Sequence, residues 1–213
     1  MEFGLAQIHA LAGYLVFGAG IAQFAAQKGG KVHHLVGRAY LLGWLILIVT
    51  GGILGSILIT FLGCFGFYFV ISAVRYAMVK GIPRAWFDKI QSLLGLLCGL
   101  AILVSAWLVY SKGNGGFAII FLVFGLLFSL SSTVDIRRSL LEQYTSKQSK
   151  HPMFWYLEHY GRMIISFIAA TTAFSAIQDL TGIVVINWLL PTVIGTVAII
   201  LMNRHYRRRF EMN

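Results

Sequence analysis

The chain has 213 residues, 58% of them hydrophobic and 11% charged, with a mean hydropathy of +0.80. Soluble domains carry about 25% charged residues, so this composition excludes a water-soluble globular fold, and the apolar content excludes disorder. The net charge is +10, but the charges lie between apolar runs, as membrane-flanking charges do, which argues against a nucleic-acid surface.

A helix needs about 20 apolar residues to cross a hydrocarbon core of roughly 30 Å, and that length divides the sequence into seven spans. The first covers residues 4–26; no basic leader or small-residue cleavage site precedes it, so it reads as a mature span. Gln27 to Lys31 break it with charge and glycine. The apolar tract from Ala39 to Val79 is too long for one helix and folds back near Gly51, Gly52, Gly55 and Ser56, giving spans 39–56 and 57–79. The fourth span covers 90–110, with Gly95-x-x-x-Gly99 as a close-packing face. A glycine-rich loop at 111–116 leads to the fifth, 117–134. The polar segment 135–158 separates it from the sixth, 160–178, and the seventh covers 183–202, with Pro191 expected to bend it. Short loops make sequential spans antiparallel neighbours in a single transmembrane domain, 1–213.

Charge fixes the orientation. Every Lys and Arg except Lys112 flanks the loops after spans one, three and five or lies in the C-terminal tail, with Lys147 and Lys150 among them. The positive-inside rule therefore places the N-terminus outside and the C-terminus inside. With no organelle signal, a bacterial inner (cytoplasmic) membrane is the expected location. The basic tail from Arg204 to Arg209 meets anionic lipid headgroups.

Two echoes suggest internal duplication. Leu15-Val16-Phe17-Gly18 recurs as Leu122-Val123-Phe124-Gly125, and His34-x-x-Gly37-Arg38 as His159-x-Gly161-Arg162. A 3+1+3 arrangement of parallel repeats accommodates both.

Ionisable residues within spans are functional suspects. At the cytoplasmic end His33, His34, Arg38, Asp135, His159 and Arg162 share one depth. His34 and His159 can ligate a haem b iron from two sides, or with Asp135 bind a divalent metal such as zinc, and Arg38 and Arg162 can hold haem propionates or an anionic substrate. The same side chains would equally meet lipid phosphates or cap helix carbonyls. His9 lies roughly 7 to 8 Å below the outer interface at 1.5 Å per residue. Gln7, Gln178, Asp179 and Asn187 share its level, either as a polar cluster or as helix-packing groups. Arg75 snorkels to the interface, and the hydroxyls of spans five and six line a polar path or tighten helix crossings. Cys64 and Cys98 are at different depths, which leaves neither a disulfide partner.

The stretches His34-Leu35-Val36-Gly37-Arg38-Ala39-Tyr40, Asp135 with Arg137, and His159-Tyr160-Gly161-Arg162-Met163 through Phe174 resemble an uncharacterised bacterial family of polytopic membrane proteins, a domain of unknown function. The resemblance implies a shared fold and points to His34, Asp135, His159 and Arg162 without implying a reaction. Three classes of function follow: a haem- or metal-binding protein, a small transporter, or a non-catalytic subunit working with a membrane partner or further copies of itself.

Overall fold

The computed structural model describes residues 4–55, 57–140 and 151–210. It is a bundle of seven helices, each long and apolar enough to cross a membrane, with no strand among the described residues. In order they are α1 (Leu5–Ala25), α2 (Lys31–Leu54), α3 (Ile57–Val79), α4 (Trp86–Ser111), α5 (Gly115–Leu140), α6 (Phe154–Gln178) and α7 (Val184–Arg209). Large apolar side chains such as Leu35, Leu93, Trp107 and Ile194 point outward, whereas Asp88, Asp135, Arg162 and several Ser and Thr are buried. That inversion suits a lipid solvent, which rewards polar groups for finding partners inside the bundle. Pro191 lies inside α7, and the helix runs on through it.

The helices overrun the apolar spans at the basic end. α2 begins at Lys31 where the apolar pattern begins at Ala39, α4 at Trp86 where it begins at Ile90, and α6 at Phe154 where it begins at Tyr160; α5 and α7 continue to Leu140 and Arg209. Hydropathy marks where lipid contact ends, whereas backbone hydrogen bonding carries a helix on into the interfacial region. The overrun places His33, Asp88, Arg138 and His159 on rigid helix. Ser56, Lys147 and Lys150 fall outside the described residues.

Packing separates two bodies. The backbones of α4 and α5 run close together along their length. A Cβ on Gly99 would stand 2.7 Å from the Ser129 nitrogen, and one on Gly95 2.6 Å from Ser132 Oγ, so the small-residue face expected there is what allows the approach. The other five helices form the second body, in which α3 lies along α6, α6 along α7 and α1 along α2; α4 also approaches α3, α5 approaches α7, and one apolar core runs through both bodies. α3 meets the α4–α5 hairpin through large side chains instead. Phe65 packs edge-on against Phe124 and Phe128, at 5.6 and 5.4 Å between ring centroids, and Tyr68 against Phe128 at 5.1 Å. Aromatic edges hold the α3 and α5 backbones apart, leaving only local backbone approach there.

This arrangement corrects two expectations. Among the described residues α5 makes no close backbone approach to α6 although the two are consecutive, whereas α1 and α2 lie side by side. The two helix triplets thus do not share one packing pattern, as parallel 3+1+3 repeats would. Cys64 and Cys98, expected at different depths, face each other across α3 and α4 as free thiols.

Candidate functional site

Arg162 of α6 and Asp135 of α5 form a buried bidentate ion pair: Nη2 donates to Oδ1 at 2.6 Å and Nη1 to Oδ2 at 2.7 Å. Tyr68 of α3 donates its hydroxyl to the same Oδ2 at 2.5 Å. The remaining Arg162 donors reach Ser72 Oγ at 3.0 Å and Glu158 Oε2 at 3.0 Å, and its guanidinium lies 4.7 Å from the Tyr76 ring centre. Glu158 in turn accepts from Arg138 of α5 at 3.1 Å. Tyr68 stands eleven residues from the basic end of α3, roughly 16 Å at 1.5 Å per residue. The network therefore reaches about half-way into a hydrocarbon core of roughly 30 Å.

A second pair joins α3 to α4. Arg75 donates to Asp88 through Nε at 2.6 Å and Nη2 at 2.8 Å, while Asp88 also accepts the Ala85 N–H at 2.8 Å and so caps its own helix. Arg75, half-buried, is thus held by a carboxylate in the first turn of α4, at the basic end of that helix. Its partner was detectable as a carboxylate in the first turn of a helix, once α4 is allowed to start before its apolar run. Gln91 adds a bond to the Tyr68 carbonyl at 3.0 Å. Each of these inter-helix pairs crosses between the α4–α5 hairpin and the five-helix body. Between them lies a cavity of about 20 Å³, lined by Tyr68, Arg75, Tyr76, Asp88, Asp135 and Arg138 among others. That is room for about one water.

The structure redistributes the expected ligand set. His34 and Arg38 are exposed on α2, and the imidazole beside His159 belongs to His33, with ring centroids 6.3 Å apart. Asp135 and Arg162 come together, but with each other: the carboxylate's oxygens are taken by Arg162 and Tyr68, and the guanidinium's donors by Asp135, Ser72 and Glu158. Neither the zinc-ligand role expected of Asp135 nor the propionate-binding role expected of Arg162 fits those contacts. Among the described residues no group of three or more His, Cys, Asp or Glu is placed to hold a metal ion. His159 Nδ1 lies 3.0 Å from the Ala73 carbonyl, which can only accept, so this nitrogen carries the proton and Nε2 the lone pair. Gln23 donates to the His33 carbonyl at 2.8 Å, and His33 Nδ1 is buried without a hydrogen-bond partner. Two turns deeper on both helices Tyr40 bonds Ser166 at 2.8 Å, so α2 and α6 meet in parallel register through side chains.

The outer cluster also separates. His9 Nδ1 pairs with Thr50 at 2.7 Å, and Gln7 accepts the Gly4 N–H at 3.0 Å at the start of its own helix. Gln178 is exposed. Asn187, almost wholly buried, donates to Asp179 at 2.5 Å and accepts from Thr181, tying the α6–α7 turn, where Asp179 adopts φ +47°.

Fold and site together define a polytopic membrane protein whose ion pairs lie on the seam between a helical hairpin and a five-helix body. No family model, curated protein or solved structure matches the chain.

Proposed function

We propose that the protein is a small-solute transporter of the bacterial inner membrane, oriented with the N-terminus outside and the basic end in the cytoplasm, in which the α4–α5 hairpin moves against the other five helices. One observation carries this reading: among the described residues the ion pairs between helices lie along the seam between the α4–α5 hairpin and the other helices, around a small cavity. A pair buried only to glue helices gains little over apolar packing, whereas a pair on a movable seam can break and re-form as access alternates. The resemblance to a bacterial polytopic family agrees with the proposed location, and the clustering of Lys and Arg at one end with the orientation.

The test is flux. Full-length protein in liposomes is offered labelled solutes of different charge: a sugar, an amino acid, phosphate, choline and a carboxylate. Uptake of one class above protein-free vesicles is expected; vesicles as tight with the protein as without it would overturn the reading.

A second reading, a metal- or haem-binding protein, is favoured by the His33 and His159 rings, 6.3 Å apart between centroids, with His33 Nδ1 buried without a hydrogen-bond partner. Two imidazoles are fewer than the ligands of a zinc site, though enough for the axial positions of haem. Elemental mass spectrometry on protein purified without chelator or metal-affinity resin decides it. Stoichiometric metal lost in His33→Ala and kept in His34→Ala supports this reading, and metal-free protein counts against it.

A further inference from the structure

We propose that the seam carries a small monocarboxylate together with one proton, the solute's carboxylate replacing that of Asp135 on Arg162 while Asp135 takes the proton. The inference rests on the transport reading and names its substrate class.

Charge balance is the first step. Arg75, Arg138 and Arg162 face Asp88, Asp135 and Glu158 across the seam. Such a set is neutral as it stands, and an unmatched charge at this depth is strongly disfavoured. An anion can therefore enter only if one carboxylate is neutralised at the same time. One proton and one monoanion leave the balance unchanged.

The geometry selects the carboxylate that yields. Asp88 is tied to its own helix by the Ala85 N–H, and Glu158 shares α6 with Arg162, so the two move together. Asp135 is joined to Arg162 and Tyr68, both on the opposite body. It lines the cavity, as Tyr68 and Tyr76 of α3, Asp88 and Gln91 of α4 and Arg138 of its own helix also do. Once Asp135 is the neutral acid, the bidentate pair loses its charge attraction, and Arg75–Asp88 and Arg138–Glu158 are left as the ion pairs across the seam.

What remains is a socket shaped for a carboxylate. Arg162 stays fixed by Glu158 and Ser72 and by stacking over Tyr76, with Nη1 and Nη2 presenting the two parallel donors that now hold Asp135. A planar carboxylate reproduces that fork, and a spherical halide does not. The Tyr68 hydroxyl stands beside it as a further donor, while Ser72, whose hydroxyl donates to the Phe69 carbonyl, accepts from Arg162.

The experiment uses the full chain in liposomes containing trapped pyranine, with labelled L-lactate and pyruvate as probes and phosphate, glycine and choline for comparison. With the outside one pH unit more acidic, lactate or pyruvate is expected to enter with one proton each and to accumulate up to about tenfold, the limit for one-to-one coupling. Clamping the membrane potential with potassium and valinomycin leaves the rate unchanged, because the coupled step is electroneutral. Asp135→Asn loses the accumulation driven by the pH gradient. Where that variant fails to purify as a monodisperse species, Tyr68→Phe replaces it and displaces the pH midpoint of uptake. Carboxylate uptake indifferent to the pH gradient, or uptake confined to another solute class, overturns this inference and leaves transport standing. No flux of any probe overturns both.

Discussion

Arg162 shows how a residue can be legible by depth and illegible by role. Its position at the inner part of a span marks it as costly and therefore of interest, and the same holds for Asp135 and His159. That the first two satisfy each other follows only from the placement of α3 between α5 and α6, which no spacing within one helix records. Deleting one partner strands the other: Arg162→Leu leaves Asp135 buried with only Tyr68, and is expected to destabilise the protein by about 3–5 kcal/mol. Combining it with Asp135→Leu restores most of that stability, because an apolar pair of similar volume replaces a matched ion pair. Thermal unfolding of the single and double variants in detergent checks this, and additive losses would show that the two side chains do not act as a pair. The exchange of His34 for His33 has a simpler origin. His33, Gly37, Tyr40 and Trp44 lie at helical spacing, and Tyr40 and Trp44 are buried, so extending the periodicity of α2 back to Lys31 turns His33 inward and His34, with Arg38, outward.

At the level of elements, number and order of the helices were legible because seven apolar stretches of sufficient length admit little else, and the first and third spans match α1 and α3 within a residue. The inner boundaries were not, since charged residues at a helix end end lipid contact without ending the helix. The tight face of α4 was legible from Gly95 and Gly99, and its consequence is measurable. In Gly99→Ala the new Cβ meets the backbone of Ser129 at 2.7 and 3.1 Å, which no rotamer change relieves, so α4 and α5 must separate and stability falls by about 1–3 kcal/mol. Gly18→Ala is the internal comparison: its Cβ meets nothing within 4 Å, and alanine is the better helix former by about 0.5–1 kcal/mol. Melting in detergent should therefore fall for the first variant and hold or rise for the second. Equal responses would mean that close approach is not what joins the hairpin.

The division of the whole molecule into hairpin and five-helix body was not legible, because it depends on which consecutive helices fail to touch, and that is set by aromatic bulk on α3 and α5 acting across distant sequence. The two cysteines provide a probe of it. Cys64 belongs to the five-helix body and Cys98 to the hairpin, and their thiols face each other over the seam. A disulfide between them, formed with diamide or copper phenanthroline, would fasten α3 to α4 at the level where the bodies must part, one helical turn from Tyr68. If alternating access requires the hairpin to move, oxidation should reduce uptake in liposomes to the level of protein-free vesicles. Dithiothreitol should restore it, and Cys98→Ala should be indifferent to both reagents. Full flux through protein shown by mass spectrometry to carry the Cys64–Cys98 bond would mean that the hairpin and the body travel as one. The ion pairs would then be fixed struts, and the conduction route would have to lie elsewhere in the bundle.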